Sequence, residues 1–173
     1  MTFEEELNVA AVLAHLVAQA NPLEGRLRVQ KLMYLLQRAG VEELEPVFFQ
    51  YHHYGPFSAD VMDALNLSKR YQFVEEHEER DGDWRKYVYR PRPHVDRHLN
   101  RVTDASRATV DEVYSVCGSA HWRTLELAAT SDFLRRADDL SWDQAFEAAL
   151  LRKPACRPYE SDGRELVRKL NLS

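Results

Sequence analysis

The sequence predicts a mainly α fold with a small antiparallel β-sheet, and three observations carry that expectation. Apolar residues recur at helical spacing through most of the chain. Asn21-Pro22, Gly40, Gly118 and Pro154 fall where those periodic segments stop. An Asp81-Gly82 step lies between two β-prone runs, the short-range signature of a hairpin.

The elements follow in order. Thr2 and Glu5 form a capping-box pattern ahead of an Ala/Leu/Val run that Asn21-Pro22 ends. A second helix is expected over about Arg26 to Ala39, with Val29, Leu32, Met33 and Leu36 on one stripe and Gly40 closing it. Val47 to Tyr54 is aromatic and β-prone, so a short strand is expected there, ended by Gly55-Pro56. Ser58 is placed to cap a third helix, with Asp60 suited to its positive end and a finish near Ser68 to Tyr71. Phe73 to Glu79 and Trp84 to Arg90 form the arms of a solvent-facing hairpin.

Pro91 and Pro93 mark a boundary, after which Val95, Leu99, Val102, Val113 and Val116 predict one long helix ending at Gly118. Trp122 to Ala137 fits another. Ser141 and Gln144 make a second capping box opening a helix that must stop before Pro154, and a last amphipathic helix is expected around Leu166 to Leu170. Helix, helix, strand, helix, hairpin over residues 1–92 is a winged-helix-like order. Residues 93–173 then add a C-terminal helical extension packed on it within one compact domain.

Composition narrows the function. The chain has 173 residues, 45% hydrophobic and 29% charged, with a formal net charge of −5. That is enough apolar mass for an ordinary domain without metal or disulfide, and an acidic balance opposes indiscriminate nucleic-acid binding. Cys117 and Cys156 are too few for a disulfide scaffold, so reduced cytoplasmic thiols are expected. Leu7 to Leu23 is too short and too interrupted to span a bilayer, and the acids at 4–6 are wrong for a secretory leader. The sequence therefore reads as a complete, soluble, intracellular chain that does not engage a membrane.

Two motifs stand out: Val29-Gln30-Lys31-Leu32-Met33-Tyr34-Leu35-Leu36-Gln37, and Tyr51-His52-His53-Tyr54-Gly55-Pro56-Phe57-Ser58. Together, with Leu125 to Thr130 and Lys153-Pro154 following in order, they resemble the Panacea/SocA-type antitoxin-like superfamily and its uncharacterised bacterial relatives. The resemblance covers most of the chain. It implies a non-enzymatic adaptor: SocA-type proteins bind a toxin and hand it to a protease, and Panacea-domain antitoxins neutralise toxins by contact. The sequence departs from the antitoxin branch at Arg38-Ala39-Gly40, where that branch usually places an aromatic residue.

Several constellations admit a functional and a structural reading. A Gly-Pro turn feeding the Ser58-capped helix could offer backbone N–H groups to an anion or a partner carboxylate, yet Gly, Pro and serine are also what a tight strand-to-helix turn requires, and the second reading is favoured. His52 and His53 should point to opposite faces of a strand, which argues against joint metal binding and places one of them in the core. His94 and His98 lie four apart on the expected long helix without an evident third ligand, so a metal or enzymatic site built on His52, His94 or His98 is a third and weaker reading. Cys117 and His121 are residue types of a thiolate and its base, but Gly118 separates them and a buried structural cysteine is favoured. The sequence contains no phosphate-binding loop, nucleophile elbow or dinucleotide fingerprint, so no catalytic residue, cofactor or metal is assigned.

Charge is unevenly spread. Residues 1–66 hold four basic and nine acidic residues, whereas Arg85 to Arg107 holds seven basic and two acidic. Lys69, Arg70, Arg85, Lys86, Arg90 and Arg92 could meet phosphates as the end of a reading helix and its wing, which makes a winged-helix DNA-binding transcriptional regulator the alternative. Glu75, Glu76, Glu78 and Glu79 oppose it and predict cross-strand pairing instead. The expectation is therefore a protein-binding module whose partner is a toxin or a protease-adaptor client. Tyr51, His52, His53, Tyr54, Ser58, Trp84, Tyr87 and Tyr89 are its candidate contacts, and a second copy of the chain is a further candidate partner.

Overall fold

A computed structural model describes residues 1–82, 84–93 and 99–172, with the side chains of Asp81 and Trp84 left aside. The fold is mainly α, with a three-stranded antiparallel sheet and a separate two-stranded one. Helix α1 (Phe3–Ala20) opens on the Thr2–Glu5 capping box and is buried nearly all round from Val9 to Val17. A helix apolar on every side belongs at the centre of a core, and α1 lies against both α3 (Ala59–Arg70) and α4 (Asp104–Cys117).

Strand β1 (Leu23–Glu24) and helix α2 (Arg26–Arg38) follow. Gly40, in the left-handed region at φ +91, turns the chain out of α2 as expected of a residue just past a helix end. Strands β2 (Gln50–His52) and β3 (Gly55–Phe57) form a small hairpin ahead of α3, and β4 (Val74–Asp81) and β5 (Trp84–Pro91) form a longer one after it. Strand order β1-β5-β4 gives the winged-helix arrangement, with Leu23 opposite Tyr89 and Glu24 opposite Val88. Helices α5 (Trp122–Ala137), α6 (Trp142–Arg152) and α7 (Glu160–Lys169) complete the chain. One hydrophobic core cluster runs through both halves, from Leu13 and Leu32 to Leu127 and Phe146. Each such side chain contributes about 1.5–3 kcal/mol by leaving water.

Several boundaries correct the sequence reading. Gly55-Pro56 does not end a strand; it begins the returning one, because Gly55 adopts φ +85 and reverses the chain. Helix α4 does not begin near Val95 but at Asp104, where the Thr103 hydroxyl accepts from the Ser106 N–H at 3.1 Å. His94, Val95 and His98 lie outside the described residues. The last helix starts at Glu160 after a 3-10 segment over Pro154–Tyr159. The long hairpin is not wholly solvent-facing, since Val74, Val88 and Tyr89 are buried while His77 and Arg90 are exposed. Among the described residues no helix is long and apolar enough to cross a membrane.

Candidate functional site

The two sequence motifs meet in space. Four polar side chains of α2, Gln30, Lys31, Tyr34 and Arg38, recur at one-turn spacing toward the short hairpin and α5, and Gln37 donates to the Leu44 and Val47 carbonyls, while Val29, Leu32, Met33 and Leu36 fill the core. Gln30 acts as a strand substitute: its amide N–H donates to the Ser58 carbonyl at 2.9 Å, and its Oε1 accepts from the Ser58 N–H at 2.9 Å. The Lys31 amine donates to the Pro56 carbonyl at 2.7 Å. The Lys153 amine donates to the His53 carbonyl at 2.8 Å and pairs with the Glu126 carboxylate of α5, also at 2.8 Å. Gln30, Lys31, Glu126 and Lys153 are all buried.

Gly55 completes this clamp. A Cβ there would drive into the Thr130 hydroxyl of α5, so the hairpin lies flat on that helix because position 55 has no side chain. Beside it the Tyr34 hydroxyl donates to Asp132 at 2.7 Å and the Arg38 guanidinium donates to the same oxygen at 2.7 Å. Burial raises the Tyr34 phenol, and the Asp132 charge reinforces the shift. Burial also pushes the Lys31 amine down to about 7, outweighing the attraction of Glu126, with Lys153 adding repulsion.

The outer face of the hairpin is aromatic. Phe48 is 71% exposed, Tyr54 60% and Tyr51 40%. Tyr51 leans toward Phe133 at 6.2 Å, and Phe133 lies 6.2 Å from the buried Tyr34, so a row of rings connects the surface to the clamp. His52 and His53 are both exposed, with ring centroids 4.8 Å apart. The expectation that one of them is a core histidine, and that the two point apart, is thereby corrected: His53 stands at the turn, where strand alternation no longer applies. Among the described residues the histidine buried in the core is His15, paired with Asp111 at 2.8 Å.

Other candidates separate. Ser58 is buried, its hydroxyl accepting from the Val61 N–H as a helix cap and its backbone held by Gln30, so it belongs to the scaffold and presents nothing to an anion. Tyr89 is fully buried and likewise leaves the surface set. Tyr87 is half-buried beneath the Arg26 guanidinium, 3.8 Å from its ring centroid. The side chain of Trp84 lies outside the described residues.

The basic candidates engage acids of the same molecule: Lys69 with Glu76 at 3.1 Å, Arg92 with Glu75 at 3.2 Å, Arg85 with Glu78 at 3.6 Å and Lys86 with Glu24 at 2.6 Å. Arg90 stands opposite Glu75 in the strand register, and Arg70 is exposed at the end of α3. Pairing partly follows the cross-strand expectation. Glu79 is opposite Lys86, but Arg85 faces Arg80 and reaches diagonally to Glu78.

The thiols have a packing character. Burial pushes Cys117 up to about 12, and burial followed by the nearby Glu126 carboxylate pushes Cys156 up to about 11, which leaves neither as a thiolate near neutrality. His121 caps α5, accepting from the Arg123 N–H at 3.2 Å, and stacks on Tyr159. Among the described residues no group of three or more His, Cys, Asp and Glu is placed to hold a metal ion.

Sequence reasoning singled out the hairpin but missed the clamp of Gln30, Lys31, Glu126 and Lys153. One local signal was present: a lysine and a glutamine within the apolar run from Val29 to Leu36. No family model matches the chain, and no curated protein matches it in sequence.

Proposed function

We propose that the chain is a non-enzymatic, cytoplasmic protein-binding module, similar to the antitoxins and proteolytic adaptors of the Panacea/SocA type, and that it meets its partner through Phe48, Tyr51, His52, His53 and Tyr54. One observation carries this reading: large aromatic side chains stand exposed on a three-pair hairpin whose backbone is anchored from beneath by buried side chains. Aromatics held in place before contact lose little conformational freedom on binding, which is why such residues dominate interface energetics. The alternative, duplex DNA binding, draws on the winged-helix strand order, but fold alone does not assign function, and Arg85, Lys86 and Arg92 are engaged by Glu78, Glu24 and Glu75 of the same chain.

The test is affinity capture from the native cell at two salt concentrations, followed by reconstitution with the purified companion. A protein companion retained at high salt is expected, with Tyr54→Ala weakening it by about 2 kcal/mol, roughly thirtyfold in Kd. Salt-sensitive duplex as the bound species, weakened by Arg85→Ala or Arg90→Ala, would overturn the reading in favour of DNA. A hydrolytic or transferase activity abolished by a single substitution would overturn both.

A further inference from the structure

A cleft of about 330 Å³ opens between the start of α2 and the short hairpin. Leu27, Phe57 and Met62 form its apolar wall, and the His52 and Tyr54 rings flank it. Among the described residues that line it, Arg26 and Lys31 are the charged ones and none is a carboxylate, although the chain as a whole is acidic. We propose that this cleft binds a small carboxylate carrying an apolar body, with Arg26 and Lys31 receiving the anionic end and Leu27, Phe57 and Met62 the apolar one.

The cations are arranged in advance. The Arg26 guanidinium is fixed over Tyr87 and tethered by Glu76 at 3.5 Å, which holds it in place while its side chain stays 43% exposed. Lys31 is 2% exposed and is steadied by Pro56, which takes one of the three donors of its amine. Helix α2 adds to the field: Gly25 supplies no side-chain cap and the first turn carries no acid, while Arg26 and Leu27 of that turn line the cleft. An amine buried here with its basicity lowered gains most from an incoming negative charge, which favours its protonated form. The volume lies at the small end of ligand cavities, enough for one ring or branched chain and its carboxylate. This inference does not depend on the hairpin's outer face meeting a partner.

The test titrates the full chain with 3-phenylpropionate and with its uncharged isostere 3-phenylpropanamide, followed by backbone amide NMR. The acid is expected to saturate at millimolar concentration, with shifts centred on Arg26, Leu27, Phe57 and Met62, and the amide to bind at least about tenfold more weakly. Arg26→Gln and Lys31→Met should each bring the acid down toward the amide. If Lys31→Met does not fold, Arg26→Gln, at a partly exposed side chain, decides alone. A second arm compares a peptide ending in Leu-Phe as the free acid and as the terminal amide. Tighter binding of the free-acid peptide than of phenylpropionate assigns the site to a polypeptide terminus, and weaker binding assigns it to a free organic acid; both support the cleft. Equal binding of acid and amide, shifts centred elsewhere, or no saturation by either acid would overturn the proposal.

Discussion

The two hairpins are held in opposite ways. The wing, β4–β5, carries eight cross-strand pairs from Val74–Pro91 to Asp81–Trp84, and its charged side chains pair with one another at the surface. The short hairpin, β2–β3, carries three pairs, Gln50–Phe57, Tyr51–Pro56 and His52–Gly55, and takes its remaining hydrogen bonds from side chains of distant elements. Three pairs of residues do not sustain a hairpin in water. Its geometry is therefore a tertiary property, and buried charge has been placed where local structure is weakest. The wing is a property of its own ladder, so its charges stay solvated and individually matter little.

That contrast breaks most visibly at Lys153. Lys153→Met leaves Glu126 buried without its cation and is expected to lower stability by about 3–5 kcal/mol in urea unfolding, whereas adding Glu126→Leu in the same chain should recover much of the loss. Loss from the single variant no greater than from a surface change would contradict the clamp.

Gly55→Ala comes next. The left-handed backbone costs a side chain about 1–2 kcal/mol. Crowding against Thr130 adds about 1–3 kcal/mol, and Thr130→Ala in the same chain should relieve the crowding alone. Thermal unfolding of the two variants separates the parts.

Lys31 gives the short hairpin a pH signature near neutrality, whereas the shifted groups of the wing, Glu75 and Glu76 held low and Tyr89 held high, act in acid and in strong base. Burial holds its amine near 7 in the folded chain against an ordinary 10.5, so between those values the unfolded chain binds more protons. Its contribution to stability therefore rises with pH across that window, by up to about 1.4 kcal/mol per pH unit. Cys117 and Cys156, raised from 9.0 on folding, act in the opposite direction from about one pH unit below that value and offset Lys31 by pH 9, so the slope is read between 7 and 8. Lys31→Met should flatten it. The smallest effect belongs to the wing: Arg85→Ala is expected to cost about 0.2–1 kcal/mol, vanishing as salt screens the Glu78 pair.

The same difference governs what could be read from the sequence. The Thr2–Glu5 and Ser141–Gln144 boxes, the Ser58 cap and the span of α5 from Trp122 to Ala137 depend on neighbours within a few residues, and each stands where the pattern places it. The wing's Asp-Gly turn is equally local. Strand β1 escaped notice because two residues, Leu23 and Glu24, become a strand only by lying beside β5. The start of α4 was misplaced because apolar spacing from Val95 onward continued the helical pattern past the cap that Thr103 provides. The clamp was out of reach for a stronger reason: its bonds join residues 25, 28 and 100 positions apart, and periodicity carries no information at that range. What remained visible was the pair of motifs at its two ends, and of their candidate contacts Ser58 proved to be scaffold while the neighbouring tyrosines stand at the surface.

The central claim, that side chains of α2 hold the short hairpin in place, is tested most directly by amide hydrogen exchange in the wild-type chain and in Gln30→Ala. The account predicts that the Ser58 N–H, bonded to the Gln30 side chain, exchanges more slowly than the amides near the wing tip, and that Gln30→Ala accelerates exchange at Ser58 and through β2–β3 while leaving β4–β5 unchanged. Rapid exchange at Ser58 in the wild type, or a uniform acceleration of both hairpins in the variant, would contradict it.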